Sequence, residues 1–145
     1  MNIDTDVIIH LLTSDDLKKQ KASASLFEKV EKGKLVLSAP TTVIADCVYV
    51  LSSPRLYSLP KSKIRDLLTT LIHIPNFKVE NKQNVLKALD LYASMNLDFG
   101  DAYLIASALR SKDKIICSYD HDFDRMTGIK RVLLRQPGRF WYNQV

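Results

Sequence analysis

The chain has 145 residues, 46% of them hydrophobic, and carries a net charge of +5 at neutral pH. That length suits one domain spanning residues 1–145 with a core of its own, and no run approaches the roughly 18 consecutive apolar residues of a membrane span. Four glycines leave no Gly-rich phosphate loop and no dinucleotide fingerprint. The opening Met1-Asn2-Ile3-Asp4 places an acid where a secretory leader needs basic and apolar residues, so the expected location is the cytoplasm, away from membranes.

In chain order, strand and helix signals alternate. Residues 1–4 read as a first strand and residues 7–12 as a helix. Ser14 is expected to cap an amphipathic helix running to about Lys32, with Leu17, Ala24, Phe27 and Val30 inward and Gly33 ending it. Leu35-Val36-Leu37 reads as a buried strand, followed by a helix with Pro40 at its start and Pro54 beyond its end. Ser58-Leu59-Pro60 opens a helix whose stripe is Ile64, Leu67, Leu68 and Leu71. Phe77-Lys78-Val79 is a short strand. Asn81 caps a helix with Val85, Leu89, Tyr92 and Met95 inward, and a further helix runs from Phe99 to Arg110. Strands are expected at residues 115–118 and 131–134. Such alternation means a parallel sheet covered on both faces, with sites beyond the carboxyl ends of its strands.

Asp46 lies in Val43-Ile44-Ala45-Asp46-Cys47-Val48-Tyr49-Val50-Leu51, the only ionisable acid of a stretch that reads as core. Burying a lone carboxylate costs several kcal/mol unless a cation meets it. No Lys or Arg lies within a turn. Three other acidic stations border apolar elements: Asp4/Asp6, Asp98/Asp101 and Asp120/Asp122. Each has a structural explanation of its own, since Asp98 suits a helix N-cap with Asp101 in its first turn, Asp4 a cap, and Asp120 to Asp124 a solvated turn. One shared metal site explains all four together. Of the 16 acids 13 are Asp, and no Cys₂His₂ or His-rich pattern exists, which favours Mg²⁺ or Mn²⁺ over Zn²⁺.

The basic balance favours phosphate-bearing partners. Carboxylates would repel a nucleic-acid backbone in a pure binder, whereas in a nuclease they hold the cations that meet the phosphate. The basic residues are scattered, as at Lys18, Lys63, Arg131 and Arg139. His10 and His73 read as packed or edge residues and His121 as an exposed neighbour of acids. Cys47 and Cys117, in apolar runs without a CxxC pattern, read as two reduced, buried thiols. Trp141 and Tyr142 are expected to pin the terminus or to form a dimer contact.

Taken in order, these residues resemble the PIN-domain ribonucleases, especially VapC-type toxins of toxin–antitoxin pairs. Ile3-Asp4-Thr5-Asp6-Val7 looks like the first acidic motif, with Asp6 where Asn is usual. Asp46-Cys47-Val48-Tyr49 looks like the second, with Asp for the usual Glu. Leu97-Asp98-Phe99-Gly100-Asp101-Ala102 matches the third and Cys117-Ser118-Tyr119-Asp120-His121-Asp122-Phe123 the fourth. The resemblance implies a three-layer α/β/α sandwich around a parallel sheet of four to five strands, and an Mg²⁺- or Mn²⁺-dependent endoribonuclease. It also implies an RNA substrate, a homodimer and a cognate antitoxin protein. Asp4, Asp46, Asp101 and Asp120 are then the catalytic metal ligands, with Thr5, Asp6, Asp98, Ser118 and Asp122 around them.

Two alternatives stand beside this reading. Asp4-Thr5-Asp6-Val7 also resembles the opening of a haloacid-dehalogenase-type phosphatase, but Ile105 occupies the place of a required downstream Asp and Asp46 is left unexplained. A catalytically silent RNA- or protein-binding module on the same fold is the other.

Overall fold

The computed structural model describes residues 1–134, so the expectations for Arg139, Trp141 and Tyr142 lie outside the described residues. Within them the fold is mixed α/β, with six helices and short parallel strands. The helices are α1 (Thr5–Leu12), α2 (Leu17–Glu31), α3 (Thr41–Ser52), α4 (Lys61–Ile72), α5 (Lys82–Ser94) and α6 (Phe99–Arg110). The strands are β1 (Leu37–Ala39), β2 (Phe77–Val79), β3 (Ile115–Cys117) and β4 (Lys130–Val132). No helix among the described residues is long and apolar enough to cross a membrane.

β1 pairs with β2 in parallel, Leu37 opposite Phe77 and Ala39 opposite Val79. β3 pairs with β4 in parallel, Ile116 opposite Arg131. The N-terminal segment joins β1 through a single parallel bridge from Asn2 to Ser38, flanked by Ile3 N–H donating to the Ser38 carbonyl at 3.0 Å. Among the described residues the sheet is therefore two separate pairs and one bridge. Three-residue strands offer only a rung or two of ladder each. Nor is either pair covered on both faces. Phe77 and Val79 are buried while Lys78 is exposed, and Ile116 is buried between exposed Ile115 and Cys117. The exposed Cys117 corrects the expectation of two buried thiols; Cys47 is buried, and both are free.

One hydrophobic cluster joins the helices to the strands. Ile8, Leu37, Ile44, Leu51, Ile64, Leu68, Ile72, Leu89 and Ile105 are fully enclosed, each contributing about 1.5–3 kcal/mol through burial. Phe27 of α2 meets Phe77 of β2 edge-on, ring centroids 5.4 Å apart. The inward stripe of α2 is Ser23, Phe27 and Val30, leaving Leu17 and Ala24 exposed. Its cap is Asp16, whose carboxylate accepts from Lys19 N–H at 3.0 Å, in place of Ser14. Gly33 follows at φ +72°, a conformation that glycine adopts without a Cβ penalty. Asn81 starts α5 at φ +51° but makes no side-chain cap bond. Packing of α1 on α3, of α3 on α6 and of α6 on β3 gathers the four acidic stations around α3 and α6.

Candidate active site

Three stations stand at element ends, and their local structure explains their places. Asp4 caps α1 just after the Asn2 bridge, its Oδ1 accepting from Thr5 N–H at 2.7 Å. Buried Ile3 on one side and Ile8 on the other fix that corner. Asp98 caps α6, its Oδ1 accepting from Asp101 N–H at 2.8 Å, between buried Leu97 and Phe99. Asp120 caps a short 3₁₀ turn, His121–Arg125; its Oδ1 accepts from Asp122 N–H at 2.8 Å, and its own N–H donates to Ser118 Oγ at 3.0 Å. The capping roles read from the sequence for Asp4 and Asp98 are real, and Asp120, read as part of a solvated turn, caps as well. In each case the bond uses Oδ1, and Oδ2 makes no hydrogen bond within the described residues.

Asp46 departs from expectation. It is exposed, on the same side of α3 as exposed Thr42 and Tyr49, while Val43, Ile44, Cys47, Val48 and Leu51 form the buried stripe. A period of 3.6 residues turns Asp46 past the edge of that stripe. Apolar neighbours in sequence therefore do not bury it. The carboxylate makes no hydrogen bond or ion pair within the described residues.

The charges fall into two groups, one around Cys47 and one around Asp101. Burial chiefly, then the charge of Asp46 and of Asp4, pushes the Cys47 thiol up to about 12. Burial chiefly, then the charges of Asp98, Asp120 and Asp122, raises the Asp101 carboxyl above its usual range. Among the described residues none of Asp4, Asp6, Asp46, Asp98, Asp101, Asp120 and Asp122 is in a salt bridge. The result is uncompensated negative charge made of hard oxygen donors, the kind that Mg²⁺ or Mn²⁺ accepts. In the conformation described, no three His, Cys, Asp or Glu side chains among the described residues lie close enough to share one ion. The donor chemistry fits such an ion; the ligand cage is not preassembled.

Ser118 and Arg131 hold the fourth station. Arg131 forks onto Asp124, with Nε and Nη2 each 2.9 Å from a carboxylate oxygen, and its Nη1 donates to the Ser118 carbonyl at 3.0 Å. This guanidinium, 9% exposed, ties β4 to the turn that carries Asp120 and Asp122. His121 Nδ1 lies 2.9 Å from Arg131 Nη2 and 3.2 Å from Asp124, so it belongs to this clamp. Sequence alone gives Arg131 no more weight than the other basic residues. Its register in β4, opposite buried Ile116, is what singles it out. Thr5 contributes a backbone N–H to Asp4 and no hydroxyl bond within the described residues. A hollow of about 550 Å³ over Ile3, Ala39 and Val79 is lined by none of the seven aspartates named above.

No curated protein matches the chain. The PIN domain family matches residues 1–129, a span that contains all four acidic stations, and the chain therefore belongs to the PIN domain family.

Proposed function

We propose that this protein is a divalent-cation-dependent endoribonuclease and the toxin of a toxin–antitoxin pair. The observation that carries the nuclease reading is Asp101, a half-buried carboxyl crowded by Asp98, Asp120 and Asp122 with no counter-charge in a salt bridge among the described residues. PIN domains are commonly ribonucleases, and a net charge of +5 draws a polyanion toward the chain that carries these acids. Asp4, Asp46, Asp101 and Asp120 would hold Mg²⁺ or Mn²⁺, with Asp6, Asp98, Asp122, Thr5 and Ser118 around them. When bound, the ion supplies Lewis acidity toward the attacking water and the phosphate. The chain supplies position. Asp98 fixes the first turn of α6 and so Asp101; Ser118 and the Arg131 clamp fix the turn bearing Asp120. Carboxylate oxygens left free accept hydrogen bonds from water and aim it in line with the leaving ribose oxygen. A cognate antitoxin and a homodimer complete the proposal, on the strength of the motif resemblance.

The silent binding module is the second reading, favoured by the absence of a preassembled cage among the described residues. Cleavage of single-stranded or loop RNA separates the two. Wild type should cut with Mg²⁺ or Mn²⁺ and stop in EDTA. Asp101→Asn should lose at least roughly 10–100-fold in rate with an unchanged circular dichroism spectrum. Cutting undiminished by EDTA sinks the metal mechanism, and a folded wild type inert with both ions leaves the binding module.

A further inference from the structure

Beside the acids lies a hollow of about 300 Å³ between α3 and the start of α6, lined by Ala45, Val48, Tyr49, Tyr92, Asp98 and Phe99 among others. That is near the lower bound, roughly 300 Å³, of ordinary small-ligand sites. Its walls are apolar and aromatic. Tyr92 is 3% exposed and packs edge-on against Phe99, centroids 6.4 Å apart, with Lys61 Nζ 4.6 Å from its ring centroid. Tyr49, by contrast, is 75% exposed at the rim, three residues after Asp46. Ser52 also lines the hollow and donates its hydroxyl to the Tyr49 carbonyl at 3.1 Å, bracing the last turn of α3.

We propose that this hollow is a nucleobase subsite that seats one unstacked base of the RNA beside the acidic stations. The inference rests on the ribonuclease reading above. Charge selects the class of ligand. Asp98 at the wall repels a phosphate, and no Lys or Arg lines the hollow. A neutral planar ring instead stacks on Tyr49, and its polar edge meets the hydroxyls of Ser52 and Tyr92 and the carboxylate of Asp98. Position selects a base over another planar group: one wall is the segment around Asp46, and another is the corner that sets Asp101. A base seated there would leave its phosphate toward the acids. An exposed Tyr so placed otherwise has no structural task, because α3 buries its opposite side.

The test is binding of the full chain to a fluorescent single-stranded oligoribonucleotide bearing 2′-O-methyl groups, which block attack from the 2′ position, in EDTA, which stops metal-assisted attack by water, with bases removed one position at a time. In wild type, one abasic position should weaken Kd about tenfold, the range of a single stacked base. Tyr49→Ala should weaken Kd by a similar factor, and the abasic position should then cost nothing further, the non-additivity of two partners in one contact. Because Tyr49 is exposed, this variant keeps the fold; Ala45→Trp, which fills the hollow, gives an independent second reading. A flat abasic scan, an unchanged Kd for Tyr49→Ala, or an abasic loss undiminished in that variant overturns the subsite. Unchanged RNA binding is also the result if a protein side chain is the true occupant. Binding is read without cleavage, so loss of the nuclease reading in the cleavage experiment and loss of the subsite here are separate outcomes.

Discussion

Asp46 shares α3 with Val43, Ile44, Cys47, Val48 and Leu51, all buried, yet its own carboxylate stands in solvent. A cost of desolvation read from its neighbours in sequence therefore does not arise. Asp46→Asn should leave the melting temperature of the metal-free protein within about 2 °C of wild type, as for a surface exchange of roughly 0.5 kcal/mol or less. RNA cleavage should fall, because the residue's place beside Asp4 and Cys47 is one of charge. A large shift of melting temperature in either direction would show that the side chain has structural partners after all. Asp101 carries the burden first assigned to Asp46: it is the half-buried acid, and three other aspartates raise its carboxyl. Its sequence environment disguised this, since a helix's first turn welcomes an acid for reasons of its own. Arg131 shows the reverse case, an unremarked basic residue that three-dimensional contacts turn into the clamp of a loop.

At the scale of elements, the prolines that open helices and some of the caps were the legible part, while Ser14 and Asn81 supply no cap bond. Pro40 and Pro60 precede α3 and α4, Asp98 caps α6, and Phe77–Val79 is a strand as its residues suggest. These signals are local, settled by backbone geometry within a few residues. What the local pattern missed are ties between elements. Tyr57, in the segment after α3, donates its hydroxyl to Asp15 Oδ2 at 2.7 Å, linking that segment to the turn before α2. The bond to Tyr57, then one from Thr13, holds the Asp15 carboxyl below its usual range, and the same bond raises the Tyr57 phenol. Linkage fixes the signs. The depressed Asp15 contributes stability above its unfolded value of about 3.9 and loses it as pH falls through the lower folded value. The raised Tyr57 contributes below about 10 and loses it as pH rises through the higher folded value. Tyr57→Phe should therefore melt below wild type between about pH 4 and pH 10, with the gap closing on both sides in a pair of pH-scanned thermal melts. A gap constant across pH would assign the difference to packing.

For the whole molecule, the proposed role is a matter of what the surface meets. A basic chain with four acidic stations, if it is the proposed nuclease, should be harmful when it acts on cellular RNA unchecked. Expression alone should arrest growth, and co-expression of the product of a neighbouring gene should relieve it. Normal growth alongside verified, soluble and RNA-cleaving protein would remove the toxin role and keep the nuclease. Sequence by itself determined the order of helices, the four acidic stations and the family, because periodicity, caps and short motifs are written in consecutive residues. Only the tertiary structure decided which acid is crowded, which thiol is exposed, how the strands pair, and that a hollow opens beside Asp98. Those depend on how far each helix is rotated about its axis and on what packs against it. Neighbours in sequence constrain that rotation weakly, whereas the shared core fixes it.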